Sequence, residues 1–323
     1  MSKNPELNST FNFSLFTSKK GMTLIEVLVS LVILTFTLGA IFTILNLQTV
    51  KSTQVQKTSI LQTDAQVALT LLKWDFVSAG LAFPKVDSAV TSLNGGLAGT
   101  DAISLKAVGL GFESGRIKWS WLLEEANSTI IKVRSWTDTL FNFEAGDTII
   151  VLEINRTTLK PPGDCVISSV DTFTFYDNWG NPVTASRLTL DKPVDAIAGL
   201  VVIGKHSKIY SPGITISVSN NKLVRGSDTL LDNVEELQFS YGIDNDGDGV
   251  IETWTDNIPQ FATLERKWGI RYTLVVTSRP MGGYTYPRDS IYIEDHVYVL
   301  TAADKRKKRA IFTGVISPPN LQP

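Results

Sequence analysis

The chain is poor in the residues that form disulfides, metal centres and catalytic centres. It has one cysteine and two histidines among 323 residues. A single cysteine cannot form an intrachain disulfide, so the chain folds without that link or Cys165 pairs with another chain. We expect Cys165 to be a small buried residue or a loop thiol without a role. His206 and His296 are far apart and have no neighbouring Cys or HExxH spacing, which argues against a zinc site.

An excess of one charge is also missing, as are the common catalytic motifs. The chain has 30 Lys and Arg against 32 Asp and Glu, a formal net charge of −2. This balance provides no general attraction to nucleic acid. No G-x-S-x-G, P-loop or dinucleotide-binding fingerprint occurs. The sequence therefore predicts a protein that is not an enzyme and has no catalytic residues.

Charge is nearly absent from one long segment near the N-terminus. Met22–Leu47 contains a single ionisable residue, Glu26. The segment is long enough to span a bilayer as a helix, which takes about 20 apolar residues. It is longer than the apolar core of a secretory signal, and no A-x-A cleavage site follows it. Lys19 and Lys20 precede it and favour the cytoplasmic side, which predicts a single-pass topology with the rest of the chain outside the cytoplasm.

Proline is absent from Met22 to Phe83, so the helical pattern continues beyond the apolar segment. Gly80 and Pro84 supply stop signals, and we expect the helix to end near Ala79. The second half is expected to pack on a folded domain through one apolar face. The residues predicted for that face are Val50, Val55, Ile60, Val67, Leu71 and Trp74.

The chain after Phe83 has the pattern of an antiparallel β-rich body. Short runs rich in β-branched and aromatic residues alternate with Gly- and Asn-containing turns. A helix followed by such a body predicts an α+β fold. The predicted strands are 116–121, 129–136, 148–154, 171–176, 200–204, 214–219, 236–241, 269–278 and 290–300. The tryptophans at 119, 121, 136, 179, 254 and 268 are expected in the core or on strand faces.

An acidic loop, residues 244–252, has two interpretations. Its sequence DNDGDGVIE matches the first half of the oxygen-rich Ca²⁺ loop pattern, and Gly249 permits the sharp bend. The twelfth position is Thr255 rather than Glu, and Asp and Gly are also common in a plain solvated β-turn. The predicted Ca²⁺ ligands are Asp244, Asp246, Asp248, the carbonyl of Val250, and Glu252.

A basic run, Lys305–Arg309, lies near the C-terminus. It is most simply a solvated loop. The alternatives are a DNA contact or a salt bridge to an acidic partner. No aromatic residue interleaves with it, which argues against a platform for stacking single strands.

The N-terminal motif resembles the class III signal of type IV prepilins and pseudopilins. The matching residues are Lys19-Lys20-Gly21 followed by Met22-Thr23-Leu24-Ile25-Glu26 and an apolar run. The resemblance implies that prepilin peptidase cleaves after Gly21 and methylates the new amine of Met22. It also implies that Glu26 meets the N-terminal amine of a neighbouring subunit in a filament, where two buried charges neutralise each other.

The body resembles minor pilins of the PilW type at 99–105, 143–150 and, best of all, 231–242, which reads LDNVEELQFSYG. J-type pseudopilins of type II secretion share its V-x-x-L-x-F-x-Y pattern, and the C-terminal sequence departs from the expected pattern. The resemblance implies a prepilin leader at 1–21, a long helix at 22–80 with its membrane and filament part at 22–47, and a β-rich head at 81–323.

The same resemblance implies a minor pilin that starts in the bacterial inner membrane and enters a pilus, in a tip or priming complex. Its partners would be prepilin peptidase, other minor and major pilins, and the membrane, and nucleic acid is not expected. Two alternatives stay open. One is a J-type pseudopilin of a secretion pseudopilus, and the other is a filament-borne adhesin or DNA receptor.

Overall fold

A computed structural model describes residues 21–83, 89–96, 99–111, 117–153, 159–205, 213–258, 268–294 and 296–322. The predicted leader residues 1–20 and His206 lie outside the described residues. The chain divides after Gln56 into two compact units. The division of the chain into leader, helix and head remains a prediction.

One long helix, α1, runs from Leu24 to Ser78 and ends one residue before the predicted position. The helix ends here because of the backbone conformation at Gly80. Gly80 has φ +74°, a left-handed conformation that residues with a Cβ rarely adopt. Its N–H donates to the carbonyl of Lys106 at 2.9 Å, which turns the chain toward the β-rich body.

The rest of the described chain consists mainly of strands, with short 3-10 helices at Thr139–Phe141, Asp304–Arg306 and Pro319–Leu321, so the fold is α+β, a long helix followed by an antiparallel β-rich domain. The strands are β1 Val90–Leu93, β2 Ala102–Leu105, β3 Trp119–Trp121, β4 Ala126–Arg134, β5 Thr148–Leu152, β6 Leu159–Tyr176, β7 Pro182–Ala196, β8 Val201–Gly204, β9 Ile214–Ser219, β10 Lys222–Arg225, β11 Asp228–Asp232, β12 Val234–Ile243, β13 Thr253–Thr255, β14 Trp268–Thr277, β15 Ser290–Ile293, β16 His296–Val299 and β17 Arg309–Ile316.

Most predicted strands are confirmed, and one is wrong. The segment 290–300 is a hairpin, β15 and β16, rather than one strand. Its turn includes Glu294, which has φ +51°. Strand β7 was missed because Pro193 and the charged pair Asp191-Lys192 interrupt its pattern, although β7 pairs with both β6 and β4.

The second half of α1 packs on two sheets, but not through the predicted face. The buried helix residues are Ala65, Ala68, Leu72, Asp75 and Phe76. By contrast, Val55, Ile60 and Val67 are each more than half exposed. The ring of Phe76 meets that of Phe239 edge-on at 6.0 Å.

The two sheets that share this core are β1-β2-β9-β10-β11 and β13-β12-β14-β17. The first contributes Ile103, Ile216 and Leu223, and the second contributes Leu237 and Leu274. The hairpin β15-β16 covers the other face of the second sheet through a small cluster that contains Val275, Ile291 and Leu300.

The third sheet, β3-β8-β5-β6-β7-β4, closes on itself. A bridge joins Leu122 to Val133, and the N–H of Leu123 donates to the carbonyl of Lys132 at 2.9 Å. The result is a six-stranded antiparallel barrel with its own apolar interior. Cys165 lies in that interior and is fully buried, which confirms the prediction of a small buried residue; the alternative of a loop thiol is wrong, because Cys165 belongs to β6.

Candidate assembly and ligand sites

The start of α1 is a capping box formed by Thr23 and Glu26. The Thr23 N–H and hydroxyl both donate to Glu26 Oε2 at 2.9 Å, and the Glu26 N–H points back to Thr23 Oγ1 at 3.4 Å. Such a box satisfies N–H groups that the first helical turn leaves without partners. Gly21 and Met22 precede the helix in exposed, non-helical backbone. The carboxylate of Glu26 is therefore held by its own chain at the helix start.

The first part of α1 exposes apolar side chains along its length. The helix is long and apolar enough to cross a membrane, and none of its most apolar window is buried. Leu24, Phe36 and Phe42 are each at least two thirds exposed. An all-round apolar helix needs lipid or other helices around it. This segment is consistent with a membrane anchor.

A buried ion pair fastens the second half of α1 to the head. Arg225 of β10 donates through Nε to Asp75 Oδ2 at 2.6 Å and through Nη2 to Asp75 Oδ1 at 2.9 Å. The Asp75 side chain is 2% exposed and that of Arg225 is 18% exposed. The two-point geometry fixes the rotation of the helix on the sheet.

The acidic loop joins β12 to β13 and is ordered by its own carboxylates. Asp244 accepts from the N–H of Gly247 at 2.6 Å and from that of Gly249 at 2.8 Å. Asp246 and Asp248 each accept from the N–H two residues further on, at 3.1 and 2.7 Å. Gly249 has φ +90°, as its predicted role in the bend requires.

Four carboxylates converge in this loop. One oxygen from each of Asp244, Asp246, Asp248 and Glu252 lies within 4.8 Å of the others, a spacing that could hold a metal ion. Burial raises the pKa of Asp244, but backbone hydrogen bonds from Gly247 and Gly249 outweigh it and lower that pKa below its ordinary value. An ionised Asp244 is the form that a cation needs.

Side chains of the basic run form ion pairs within the head, so the run is not a solvated loop. Arg309 donates to both oxygens of Glu235, at 2.5 and 2.9 Å, and both side chains are at least 95% buried. Lys307 pairs with Asp304 at 2.7 Å, and Lys305 pairs with Asp289. These internal pairs favour a structural role over the DNA contact that was held open.

His296 is buried against Glu236 and Gln238 on the covered face of the β12 sheet. Its Nδ1 lies 2.6 Å from Glu236 Oε2 and 3.2 Å from Gln238 Nε2. Burial raises the pKa of Glu236 to about 7. The pair links β12 to the hairpin β15-β16, so we assign it a structural role.

The prediction that the tryptophans lie in the core or on strand faces is confirmed for Trp119, Trp121, Trp254 and Trp268, and it is wrong for Trp136 and Trp179, which lie outside the strands. Trp268 is buried, whereas Trp179 is 86% exposed in the turn between β6 and β7. Trp119, Trp121 and Trp136 form a half-exposed cluster on the outside of the barrel. Their sequence positions gave no sign that the three rings meet.

Two family models match the chain. The prokaryotic N-terminal methylation motif matches residues 17–42, and type IV pilus-assembly protein W matches residues 205–320. No curated protein and no solved structure matches the chain. The second match includes the 231–242 segment, whereas the resemblances at 99–105 and 143–150 lie outside both matches.

In its motif at the start of an apolar helix, followed by a β-rich head, the chain is similar to type IV pilin-like proteins. Within that class the resemblance to PilW-type prepilins is confirmed, because the PilW match covers β9 to β17. These matches indicate a structural subunit of a pilus-associated, membrane-anchored kind rather than an enzyme.

Sequence reasoning missed two features of these sites. The capping role of Glu26 was detectable, because Thr23-Leu24-Ile25-Glu26 fits the S/T-x-x-E pattern of a capping box. The partnership of Asp75 with Arg225 was not detectable, because 150 residues separate them and neither lies in a recognisable motif.

Proposed function

We propose that the chain is a minor type IV pilin, cleaved after Gly21 and assembled through α1 into a pilus. The observation that carries the proposal is the arrangement at the helix start. The Gly21–Met22 bond lies in exposed, non-helical backbone, directly before an uncovered apolar helix that carries the methylation motif. Hydrolysis there would remove residues 1–21 and leave the amine of Met22 beside Glu26.

Before cleavage, the chain would sit in the inner membrane with its head outside the cytoplasm. The prepilin peptidase acts on the cytoplasmic side, next to Lys19 and Lys20. The exposed side chains of Ile60 and Val67 offer apolar surface to neighbouring subunits. Large heads would crowd the shaft of a filament, so we expect few copies of this chain per pilus. A low copy number supports a place in a tip or priming complex.

Intact mass of the membrane-extracted chain tests the processing step. We expect loss of Met1–Gly21 and gain of one methyl group in cells that have prepilin peptidase, and the full mass in cells without it. Gly21→Leu should block cleavage. Gly39→Leu is the matched control, because an added Cβ meets nothing within 4 Å at either glycine. An uncleaved wild-type chain in both strains would refute the proposal.

The assembly role of Glu26 can be separated from its capping role. Glutamine also serves as the third residue of a capping box, so Glu26→Gln keeps the cap and removes the charge. If Glu26 pairs with a neighbour's amine, Glu26→Gln should lower incorporation into sheared filaments as strongly as Glu26→Ala. Thr23→Val weakens the cap but keeps the carboxylate, and it should assemble. Normal assembly of Glu26→Gln would contradict the pairing.

We further propose that the acidic loop binds Ca²⁺ through Asp244, Asp246, Asp248, Glu252 and the carbonyl of Val250. The supporting observation is the convergence of the four carboxylates. The ion would stiffen the loop between β12 and β13 and take no part in chemistry. Calorimetry on the detergent-solubilised chain should show Ca²⁺ binding that Asp246→Asn weakens and that Mg²⁺ does not reproduce. Absence of heat at millimolar Ca²⁺ would contradict it.

A further inference from the structure

The barrel is an insertion in the sheet that supports α1. Strands β2 and β9 are direct neighbours, with Ile103 paired to Ile216, yet the whole barrel lies between them in the chain. The family matches cover 17–42 and 205–320 and leave the barrel outside. Its interior is separate from the core around α1. The barrel can therefore have a function that is separate from supporting α1.

One surface of the barrel is a tryptophan platform, which we define as Trp119, Trp121 and Trp136. The three ring centroids are 4.7 to 5.4 Å apart, and the ring planes are inclined at 55° to 86°. Trp119 and Trp121 remain 36% and 37% exposed. The inclined rings form a corner rather than a flat face.

The platform is held in place by hydrogen bonds. Trp136 Nε1 donates to the carbonyl of Trp119 at 2.5 Å. The amide of Asn142 holds the backbone of Trp136 from both sides, at 2.7 and 3.0 Å. Among the described residues, the indole N–H groups of Trp119 and Trp121 have no hydrogen-bond acceptor, so both can serve a ligand. Rings fixed in advance lose little conformational freedom on binding.

We propose that the tryptophan platform binds a neutral saccharide. A pyranose ring has an apolar C–H face bordered by hydroxyl groups, which matches indole faces bordered by free N–H donors. The Arg134 guanidinium, 5.8 Å from the Trp136 ring centroid, adds a further donor next to the platform. The corner between the rings suits a soluble chain or a chain end better than a flat crystalline surface.

The exposed area argues against a protein partner. A third of each indole surface gives roughly 300 Å² or less for the three rings together. A stable protein interface takes about 800 Å² from each partner. The platform is thus too small for such a partner and has the size of one or two sugar rings.

The charge of the barrel argues against nucleic acid. Residues 117–205 include eleven acidic and eight basic residues, a net charge of −3. Binding of a polyanion needs several cations placed along its phosphates. Of the two cations on β4 near the platform, Lys132 and Arg134, Lys132 is paired with Glu124 at 2.6 Å. A neutral ligand meets no such repulsion.

Calorimetry on the full chain tests the proposal, in a detergent without a sugar headgroup. The probes are maltohexaose, cellohexaose, chitohexaose and mannohexaose, with a poly-dT oligonucleotide for comparison. We expect at least one saccharide to bind and Trp121→Ala to weaken it about tenfold or more. Trp179→Ala removes an equally aromatic but more exposed side chain outside the platform, and it should bind as the wild type does.

A second measurement uses the unmutated chain, so its result does not depend on whether a variant folds. Bound saccharide should protect Trp119 and Trp121 from oxidation by N-bromosuccinimide, mapped by peptide mass spectrometry, and leave Trp179 as reactive as before. The proposal is overturned if no saccharide binds at millimolar concentration, or if the oligonucleotide binds more tightly. The proposal is also overturned if the saccharide protects Trp179 as strongly as Trp119 and Trp121. Equal loss of saccharide affinity in Trp121→Ala and Trp179→Ala would overturn it as well.

Discussion

The pair between Asp75 and Arg225 predicts how firmly α1 is attached to the head. Asp75→Ala removes the two-point ion pair of Arg225, whose side chain is 18% exposed in the native structure. Breaking a buried pair from one side costs about 3–5 kcal/mol of the free energy of unfolding. Because Arg225 keeps some access to water, we expect about 3 kcal/mol. For a unit of this size, that lowers the melting temperature by roughly 6–12 °C.

Thermal unfolding of the detergent-solubilised chain, followed by tryptophan fluorescence, measures this change. Asp232→Ala is the matched control, since it breaks the pair with Lys222, in which the side chains are 50% and 65% exposed. Exposed pairs contribute about 1 kcal/mol or less. The double variant Asp75→Leu with Arg225→Met should recover most of the loss, because neither charge is then left buried alone.

Two results would refute this reasoning. If Asp75→Ala shifts the melting temperature no more than Asp232→Ala does, the pair does not hold the helix to the sheet. If the double variant is as unstable as Asp75→Ala, the loss comes from packing and not from an unpaired charge.

Three further predictions concern buried groups of the head. Burial raises the folded pKa of Glu236 to about 7 from 4.5, so its stabilising effect is complete below pH 4.5 and is lost as pH rises through 7. Urea unfolding should show this loss, up to about 3 kcal/mol, and Glu236→Gln should remove it. Arg309→Met removes the two-point partner of buried Glu235, which keeps Lys307 at 3.9 Å, and should cost about 3 kcal/mol of unfolding free energy, whereas Lys308→Met should cost about 1 or less, also by urea unfolding. Burial, with the neighbouring Asp191, raises the pKa of Cys165 to about 11, so iodoacetamide should label it only after unfolding, as mass spectrometry can show.

Each of the three has a result that would contradict it. The Glu236 prediction is wrong if the wild type and Glu236→Gln have the same pH dependence. Equal losses of unfolding free energy in Arg309→Met and Lys308→Met would mean that the buried ion pair contributes no more to stability than Lys308 does. Labelling of Cys165 in the folded chain would show that the barrel interior is open to reagent.

The features that sequence alone determined are those set by short-range physics. The start and end of α1 follow from the T-x-x-E capping pattern and from Gly80, each of which acts within one turn of backbone. Its capacity to span a membrane follows from composition over a bilayer's length. The strands predicted at 200–204 and 214–219 lie within one residue of β8 and β9. The acidic loop bends where its glycine allows, between two paired strands.

Only the tertiary structure decided which surfaces meet. The buried face of α1 is the alanine face and not the face richer in valine, and it packs against both sheets and brings Asp75 to Arg225, 150 residues away. The basic run became part of the head because Glu235 lies opposite Arg309 across the β12–β14–β17 sheet. The tryptophan platform exists because barrel closure brings β3 beside the end of β4. Such contacts join distant parts of the chain, and no local pattern encodes them.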